Sequence, residues 1–520
     1  MGPTNKDYII ITAQCEDAYL VSYFIAGTIP LFFLIFFVSF FLPAKLDKKV
    51  PPHINVPSHI SSEFKDQNAK NLLHNRVISL MFALIFCAII YTKIFNYYPM
   101  VIVYNDSTPL ALDPFIYYTL MFLIGSFLLL CQLVYRYKID LKKEEVIYLA
   151  FFILSALIIV LQFNLIGIFM CLELFSISSY LLVTGLGRKV SIEAAIKYSL
   201  TGLLGTVFFL MGVTFCIINY ATVNLYYLDI FIRYSMYDGA SMPYLAFCGS
   251  FFLIGLFLKL GVTPFHFWIL DVYKGTSPIT FIWLVTLSKV VLLFILITLF
   301  EHVLYDFSIY YEYIFLGLSV ASIIVGSVGG LRQANLKGLL AYSSIVTLGF
   351  ILLPFTYYSE SPVYAITLSI STLVVYVFNL FSFFYFLSKF KDVSVIFNNL
   401  FEIKNIIRSN PVLALGFVIS LFSFMGLPPL LGFYPKIFLL KTLYQSGYFI
   451  TVAICIICTL FTSFYYFLII KQLTLSKTKT YINFKQLTFV DKIIIGLLLF
   501  INGFVFFFFD NLMYFIYTLF

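Results

Sequence analysis

Long uninterrupted apolar stretches recur along the whole sequence, and they constrain the fold more than any other feature. About 20 apolar residues suffice for a helix to cross the hydrocarbon of a membrane. About fourteen stretches of this kind occur, at 23–43, 77–97, 115–136, 146–162, 164–187, 194–220, 244–268, 278–300, 312–331, 335–356, 362–388, 410–443, 447–471 and 493–519. Because lipid cannot hydrogen-bond to the backbone, such stretches must be helical. The sequence therefore predicts an all-α polytopic membrane protein.

The composition supports this prediction and argues against several other kinds of function. Hydrophobic residues make up 62% of the chain and charged residues only 11%, whereas soluble domains are about a quarter charged. No basic run is interleaved with aromatics, so we expect no nucleic-acid partner. The cysteines lie almost entirely in or beside apolar stretches, where a free thiol packs as a small hydrophobe. We therefore expect this chain to bind no metal and no cofactor.

The positive charges are distributed asymmetrically between the two sides of the predicted membrane domain. Connections after odd-numbered spans carry most of the 32 Lys and Arg residues. The other side carries only Lys6, Lys93, Arg233 and Lys441. Because Lys and Arg are retained on the inner side of a membrane, this pattern predicts both termini on the outer side.

Several charged residues lie inside the predicted spans rather than between them. The most deeply placed are Glu173, Lys259, Lys289 and Lys436. A charge at the centre of a membrane helix costs on the order of 2.5–3.5 kcal/mol on insertion scales. Snorkelling of the side chain to the interface does not explain Lys259 or Lys289, which have apolar sequence on both sides. These residues are therefore predicted to be functional.

Other ionisable residues in or beside the spans have simpler explanations that remain open. Lys197 follows Glu193 by four residues, so a surface ion pair explains it as well as a role in a proton route. His266 is compatible with a proton relay, or with a histidine that is hydrogen-bonded at the interface. Asp510 is expected near the outer surface or at a contact with a partner.

Prolines interrupt two of the spans that carry lysines. Lys259 is followed by Pro264, and Lys436 is preceded by Pro428 and Pro429. Proline removes a backbone hydrogen bond, and the carbonyl groups it frees must find protein or water. Broken helices in corresponding positions of two halves are typical of transporters built from inverted repeats.

The sequence thus predicts two inverted repeats of five helices each, with the breaks in spans 7 and 12. The first repeat comprises spans 4–8 at 146–300, and the second comprises spans 9–13 at 312–471. An N-terminal three-helix segment at 1–145 contains the polar insert 44–76, and residues 472–520 form a C-terminal helix.

A carboxylate and several amines in a dry interior are suited to moving protons. Burial disfavours the charged form of each group, and lysine, unlike arginine, can release its proton in a protein. If Glu173 faces Lys259, the pair is stable while both are charged. Separating the pair would then allow Lys259 to release its proton.

Five stretches carry a resemblance to a known family. The sequence LFLKLGVTPFHFWILDVYKGTSPITFIWLVTLSKVV at 256–291 resembles the signature of the antiporter-like membrane subunits of respiratory complex I. SIEAAIKYSL at 191–200 is similar too, and LELFSISSYLL, LRQANLKGLLAYSSIVTLGF and GLPPLLGFYPKIFLL agree with that family in order, at 172–182, 331–350 and 426–440. The resemblance covers roughly residues 145–445.

Within the family, the subunit 2 branch is the most similar. The sequence DVYKGTSP at 271–278 is similar to that branch in particular. Subunit 4 normally has a glutamate where this chain has Lys436. Subunit 5 continues into a long lateral helix, for which we expect no room after Phe520.

The resemblance implies roles for the buried charged residues and a departure from the family pattern. The input pair would be Glu173 and Lys259, the central shuttle Lys289, and the exit site Lys436. After the sequence AYSSI the family usually has a histidine, where this chain has valine and threonine. The link from the shuttle to the exit site is then expected to use water or the hydroxyl groups of Ser343, Ser344 and Thr347.

The resemblance also implies a location, partners and an activity. The chain would be a proton-translocating subunit of NADH:ubiquinone oxidoreductase in the mitochondrial inner membrane, with both termini in the intermembrane space. Its neighbours would be subunits 4 and 4L, the lateral helix of subunit 5, membrane lipids, and accessory subunits at 44–76 and in the loop 221–243. NADH, FMN, iron–sulfur clusters and ubiquinone are expected in other subunits, so this chain would be an enzyme only as part of the complex.

Two alternatives remain. The chain could be a stand-alone cation/proton antiporter of the same ancestry, which would use the same lysines without a redox partner. It could also be a structural subunit that has lost its pump, although the presence of all four key titratable residues argues against this.

Overall fold

The computed structural model describes residues 143–185, 187–236, 242–389, 411–475, 489–504 and 509–517, together with four isolated positions between 119 and 125. The predicted spans at 23–43 and 77–97, nearly all of the span at 115–136, and the insert 44–76 lie outside the described residues. The chain divides into two compact units, Met1–Asp140 with Gln486–Ile494, and Leu141–Lys485 with Ile495–Phe520. Nearly all described residues belong to the second unit.

The described residues form helices, as the apolar pattern predicts. The helices up to His302 are α1 (Lys143–Val160), α2 (Leu165–Thr184), α3 (Lys189–Tyr220), α4 (Leu225–Met236), α5 (Met242–Leu260), α6 (Phe267–Gly275) and α7 (Pro278–His302). The later ones are α8 (Ser308–Leu331), α9 (Leu336–Leu352), α10 (Pro362–Leu387), α11 (Pro411–Met425), α12 (Phe433–Gln445), α13 (Phe449–Leu475), α14 (Phe489–Phe504) and α15 (Phe509–Tyr517). Short 3-10 turns occur at Tyr305–Phe307 and Leu353–Tyr357. Among the described residues, the only bridge of β type is an isolated one between Asn164 and Asn224.

Each predicted span from residue 146 onward coincides with one helix or with two consecutive helices. In the described part of the chain, 8 helices are long and apolar enough to cross a membrane. The all-helical, membrane-spanning character of the chain is therefore confirmed for these residues.

The connection 221–243 is not the loop that the sequence predicted. It contains α4, a helix of 12 residues that is too short to span a membrane. Leu225, Leu228 and Ile232 are buried on one side of α4 at helical spacing, whereas Tyr227 and Tyr234 are exposed. A search for long apolar stretches cannot find a short amphipathic helix of this kind.

Glycine, rather than proline, ends the helix at each of the two breaks. Gly261 follows α5 with φ 75°, and Gly426 follows α11 with φ 80°. The N–H groups of Gly261 and Val262 both donate to the carbonyl of Phe257, and an equivalent pair of bonds closes the end of α11. This is the Schellman arrangement, in which a left-handed glycine terminates a helix.

The prolines come after these glycines and act on the segment beyond each helix end. Pro264 and Pro428 lie three and two residues beyond the terminating glycines. Because they have no N–H group, they prevent an immediate return to helix. The breaks therefore lie in the predicted spans, and the residue that terminates each helix is the glycine that precedes these prolines.

Three helices form the interior of the described bundle. In α7, in α9 with its following turn, and in α10, 89% of the residues in the apolar 18-residue stretch are buried. In the other candidate spans the buried share is 39–56%. A helix that is apolar on all sides and buried belongs to the centre of a bundle. Lys289 on α7 and the three predicted hydroxyl relays on α9 therefore lie in the interior.

Two glycines allow α3 and α5 to cross at very short distance. A methyl group added to Gly255 would lie 2.7 Å from the carbonyl oxygen of Gly205 and 2.9 Å from the backbone nitrogen of Phe209. Membrane helices commonly approach each other through such small residues. The side chain of Lys259, one turn beyond Gly255, lies beside Gly205 at the same crossing.

Replacing Gly255 by alanine is expected to destabilise this crossing by about 1–3 kcal/mol, because the new methyl group meets backbone that cannot move aside. Gly317→Ala on α8 is the matched control, since nothing lies within 4 Å of its added methyl group and alanine favours the helix by up to ~1 kcal/mol. The measurement is the melting temperature of the purified protein in mild detergent. Equal melting temperatures for the two variants would contradict the proposed close approach.

Candidate functional site

The first break leaves one backbone carbonyl group that a tryptophan satisfies. The indole Nε1 of Trp268 on α6 donates to the carbonyl of Leu258 at 3.1 Å, and its ring stacks on Tyr198 with centroids 4.8 Å apart. The N–H group of Thr263 donates to the hydroxyl of Ser322 at 3.1 Å. Residues of α3, α6 and α8 therefore hold the broken segment in place.

Lys259 lies at this break with its amine buried and without a hydrogen-bond partner. Glu173 on α2 is partly buried and accepts a hydrogen bond from the hydroxyl of Ser176 at 3.3 Å. No ion pair joins Glu173 and Lys259 within 4 Å among the described residues. The two residues predicted as an input pair therefore do not form a direct ion pair.

Lys197 lies on the surface of the described bundle, with its side chain 44% exposed. Its amine forms ion pairs with Glu193 at 2.8 Å and with Asp271 of α6 at 2.7 Å. The structure thus gives the predicted surface pair and adds a second carboxylate that was not predicted.

His266 lies at the start of α6, and its buried Nδ1 has no hydrogen-bond partner.

Lys289 lies in the interior and is only 3% exposed. Its amine donates to the backbone carbonyl of Ser344 on α9 at 3.0 Å and to the hydroxyl of Tyr376 on α10 at 3.3 Å. The amine also lies 4.5 Å from the centre of the Tyr376 ring, a cation–π distance. The hydroxyl of Thr347 donates to the same Ser344 carbonyl at 3.0 Å.

Two of the predicted relay hydroxyls donate within their own helix. The hydroxyl of Ser343 donates to the carbonyl of Leu340, and that of Ser344 donates to the carbonyl of Ala341. Both bonds remain within α9. Ser344 contacts Lys289 through its backbone carbonyl group and not through its side chain.

The second break contains Lys436, which reaches back across the interruption. Its amine donates to the carbonyls of Phe424 at 3.1 Å and Met425 at 3.0 Å, the last residues of α11. The carbonyl end of a helix carries partial negative charge and favours a cation. The ring of Phe350 lies 5.7 Å from the same amine.

Three buried polar groups fix the geometry of the second break. The hydroxyl of Ser423 donates to Oδ1 of Asn379 on α10 at 2.8 Å and accepts from the N–H group of Gly432 at 3.2 Å. Asn379 is 3% exposed, and Ser423 is fully buried. The network ties α10 and α11 to the segment that precedes α12.

The two breaks thus leave their lysines in different environments. Lys259 precedes its break, and a neutral indole group satisfies the carbonyl of Leu258. Lys436 follows its break, and its own amine satisfies the carbonyls of Phe424 and Met425. The first amine is therefore left without a hydrogen bond, whereas the second has two.

Six residues at these sites were not predicted from the sequence, namely Trp268, Asp271, Ser322, Tyr376, Asn379 and Ser423. Tyr376 and Asn379 are polar residues inside a long apolar span, a signal that could have singled them out. The others become significant only once helices that are distant in sequence are brought together.

The described residues contain no group of three or more His, Cys, Asp or Glu side chains that could hold a metal ion. Cys455 and Cys458, the sequence CxxC, are buried free thiols on α13.

Comparison with known proteins gives consistent matches. Residues 163–462 match the family described as NADH:quinone oxidoreductase/Mrp antiporter, transmembrane. NADH-quinone oxidoreductase subunit N of Ruthia magnifica is 30% identical over 68% of this chain and 71% of its own length. NADH-ubiquinone oxidoreductase chain 2 of Marchantia polymorpha is 25% identical over 78% of this chain and 82% of its own length. A chain of respiratory complex I from Thermus thermophilus has a similar fold, with a TM-score of 0.65, 23% identity, and coverage of 84% of this chain and 93% of that one.

Replacing Ser423 by alanine is expected to lower stability by about 1–3 kcal/mol, because it leaves a buried amide oxygen and a buried N–H group unpaired. Ser420→Ala is the matched control on the same helix, since its hydroxyl bonds only to the carbonyl of Phe417 and is equally buried. Thermal melting of the two purified variants measures the difference. If both melt at the temperature of the unmodified protein, the network does not hold the second break.

Proposed function

The chain belongs to the NADH:quinone oxidoreductase/Mrp antiporter transmembrane family, and from this we propose that it is a proton-translocating membrane subunit of mitochondrial complex I. The observation that carries the proposal is the set of buried amines. Lys289 lies among the central helices, and Lys259 and Lys436 lie at the two helix breaks. Buried lysines beside unwound backbone provide sites between which a proton can move inside an apolar bundle.

In the proposed mechanism, a change of charge in a neighbouring subunit reaches Glu173 first. The carboxylate influences Lys259 across a gap without a direct bond, so a small displacement changes how well the amine is stabilised as a cation. Lys259 then exchanges its proton with the interior, where Lys289 is the next amine. Lys436 releases the proton on the far side, against a cost of about 2.3 kcal/mol per charge per 100 mV.

The proposed architecture has fourteen spans and two inverted five-helix repeats, spans 4–8 and 9–13. The equivalent glycine-terminated breaks of α5 and α11 support this arrangement. The distribution of Lys and Arg favours both termini in the intermembrane space. The segments 1–145 and 472–520 flank the repeats in this proposal.

The proposed setting is the mitochondrial inner membrane. The abundance of phenylalanine and tyrosine, at 63 and 39 residues, supports an organellar origin in this proposal. The partners would be subunits 4 and 4L, the lateral helix of subunit 5 and accessory subunits. NADH, FMN, iron–sulfur clusters and ubiquinone would be bound by other subunits.

A stand-alone cation/proton antiporter is the second candidate. The same family includes Mrp antiporters, and a row of buried amines would serve either function. The two candidates differ in whether NADH oxidation drives the proton movement. An antiporter would instead move protons in exchange for sodium or potassium ions.

Native electrophoresis of membranes solubilised in mild detergent tests membership of the complex. The chain is expected in a large band that stains for NADH dehydrogenase activity, together with subunits 4 and 5, as identified by mass spectrometry. Recovery of the chain only in a small, unstained band would contradict the proposal. Sodium- or potassium-dependent proton flux would then be measured in its place.

Replacing Lys436 by glutamine is expected to reduce NADH-driven proton pumping at least tenfold, within the range typical of a lost acid–base group. The amide can still donate to the carbonyls of α11, so the local fold is kept while the transferable proton is removed. Lys441→Gln is the control, because Lys441 is exposed on the same helix. Pumping is measured in sealed vesicles. The rate of NADH oxidation with a water-soluble electron acceptor measures separately the activity of the subunits that oxidise NADH. Equal pumping in the two variants would contradict a role for Lys436.

A further inference from the structure

The hydrogen-bond partners of Lys289 differ in what they can do when the amine changes charge. The amine donates to the backbone carbonyl of Ser344 and to the hydroxyl of Tyr376. A carbonyl oxygen only accepts hydrogen bonds, so it stabilises the ammonium form and offers nothing to the lone pair of a neutral amine. A tyrosine hydroxyl both accepts and donates.

We propose that Tyr376 is a positioning residue for proton transfer at Lys289, because its hydroxyl can hold the amine in both protonation states. This inference rests on the proposed pumping function. With Lys289 as an ammonium, an N–H of the amine donates to the tyrosine oxygen. After the ammonium has given one proton to the next acceptor, the tyrosine O–H turns and donates to the nitrogen lone pair. Tyr376 itself gains and loses no proton over this exchange.

The neighbouring hydroxyls on α9 donate to backbone carbonyl groups of their own helix. Ser343 and Ser344 donate to carbonyls of their own helix, and Thr347 donates to the carbonyl of Ser344. Among the described hydrogen bonds of Lys289, the one to Tyr376 is therefore the only one that can reverse its direction. The structure thus offers, on α10, a hydroxyl that can both accept a hydrogen bond from the amine and donate one to it. The sequence instead predicts that hydroxyls on α9 replace the missing histidine.

Tyr376 also lies between Lys289 and the second break. Its ring contacts the ring of Phe424 edge to face, with centroids 6.4 Å apart. The carbonyl of Phe424 accepts a hydrogen bond from Lys436. Tyr376, which accepts a hydrogen bond from Lys289, therefore packs against Phe424, whose carbonyl accepts one from Lys436. A change at one lysine can reach the other through two buried aromatic side chains.

The test replaces Tyr376 by phenylalanine in the intact complex. The ring, its packing and its cation–π contact remain, and only the hydroxyl is lost. A hydrogen bond to a charged group is typically worth enough to change a rate roughly tenfold. We therefore expect NADH-driven pumping per assembled complex to fall roughly tenfold. The solvent deuterium isotope effect on pumping should become larger, because proton transfer at Lys289 would then limit the rate.

Tyr311→Phe is the matched control. Tyr311 on α8 is a buried tyrosine whose hydroxyl donates to the carbonyl of Ala246 at 2.6 Å, away from the described contacts of the lysines. Losing this bond should affect stability alone, so pumping per complex and its isotope effect should stay unchanged. An unchanged isotope effect in Tyr376→Phe, or the same change in both variants, would overturn the inference.

A second pair of variants keeps the test decisive if Tyr376→Phe does not assemble. Tyr376→His retains a group that can donate and accept, whereas Tyr376→Met is of similar size and cannot donate. Faster pumping in the histidine variant supports the inference, and equal rates overturn it. Lys289→Gln separates the two proposals. If that variant pumps normally, the proposed function fails; if it is inactive while Tyr376→Phe is normal, only the role of Tyr376 fails.

Discussion

The need to satisfy backbone carbonyls in a dry interior controls how this bundle is assembled. Lipid offers no hydrogen bonds, so each broken helix requires partners from its surroundings. At α5 the partner of the Leu258 carbonyl is the indole of Trp268, which must lie on a second short helix folded back against α3. At α11 the partners come from Lys436, at the start of α12. The half-helices are therefore held in place by the same bonds that make the breaks tolerable in the membrane.

The central lysine depends on a different form of the same constraint. A buried amine is costly unless hydrogen-bonded, and Lys289 obtains its bonds from the two helices that are most enclosed with it. One of those bonds uses the backbone carbonyl group of residue 344, which is present whatever the side chain at that position. The other requires a hydroxyl at position 376. The first is thus a property of the fold and the second a property of the sequence, which is why the second can be altered alone.

Much of the fold could be predicted from the sequence because the membrane simplifies the physics. A long apolar stretch has no stable state in lipid other than a helix, so spans such as 278–300 could be predicted from composition alone. The short helix α4 could not, because its amphipathic pattern covers only 12 residues. The charged members of the site were visible because buried charge is rare. The roles of its neutral members, such as Tyr376 and Ser423, could not be predicted, since they arise from contacts with residues between 9 and 87 positions away.

The unequal environments of the two break lysines bear directly on how a row of amines could do work. A positive charge on Lys436 faces two carbonyl oxygens at the negative end of a helix, whereas one on Lys259 has no hydrogen bond. A charge is therefore not equally stable along the row. If all the amines bound a proton equally strongly, they would only conduct protons. If they differ, an external change of charge can alter which amine binds a proton most strongly. In the proposed pump, Glu173 imposes that change through space, since no ion pair to Lys259 has to be broken when the carboxylate moves.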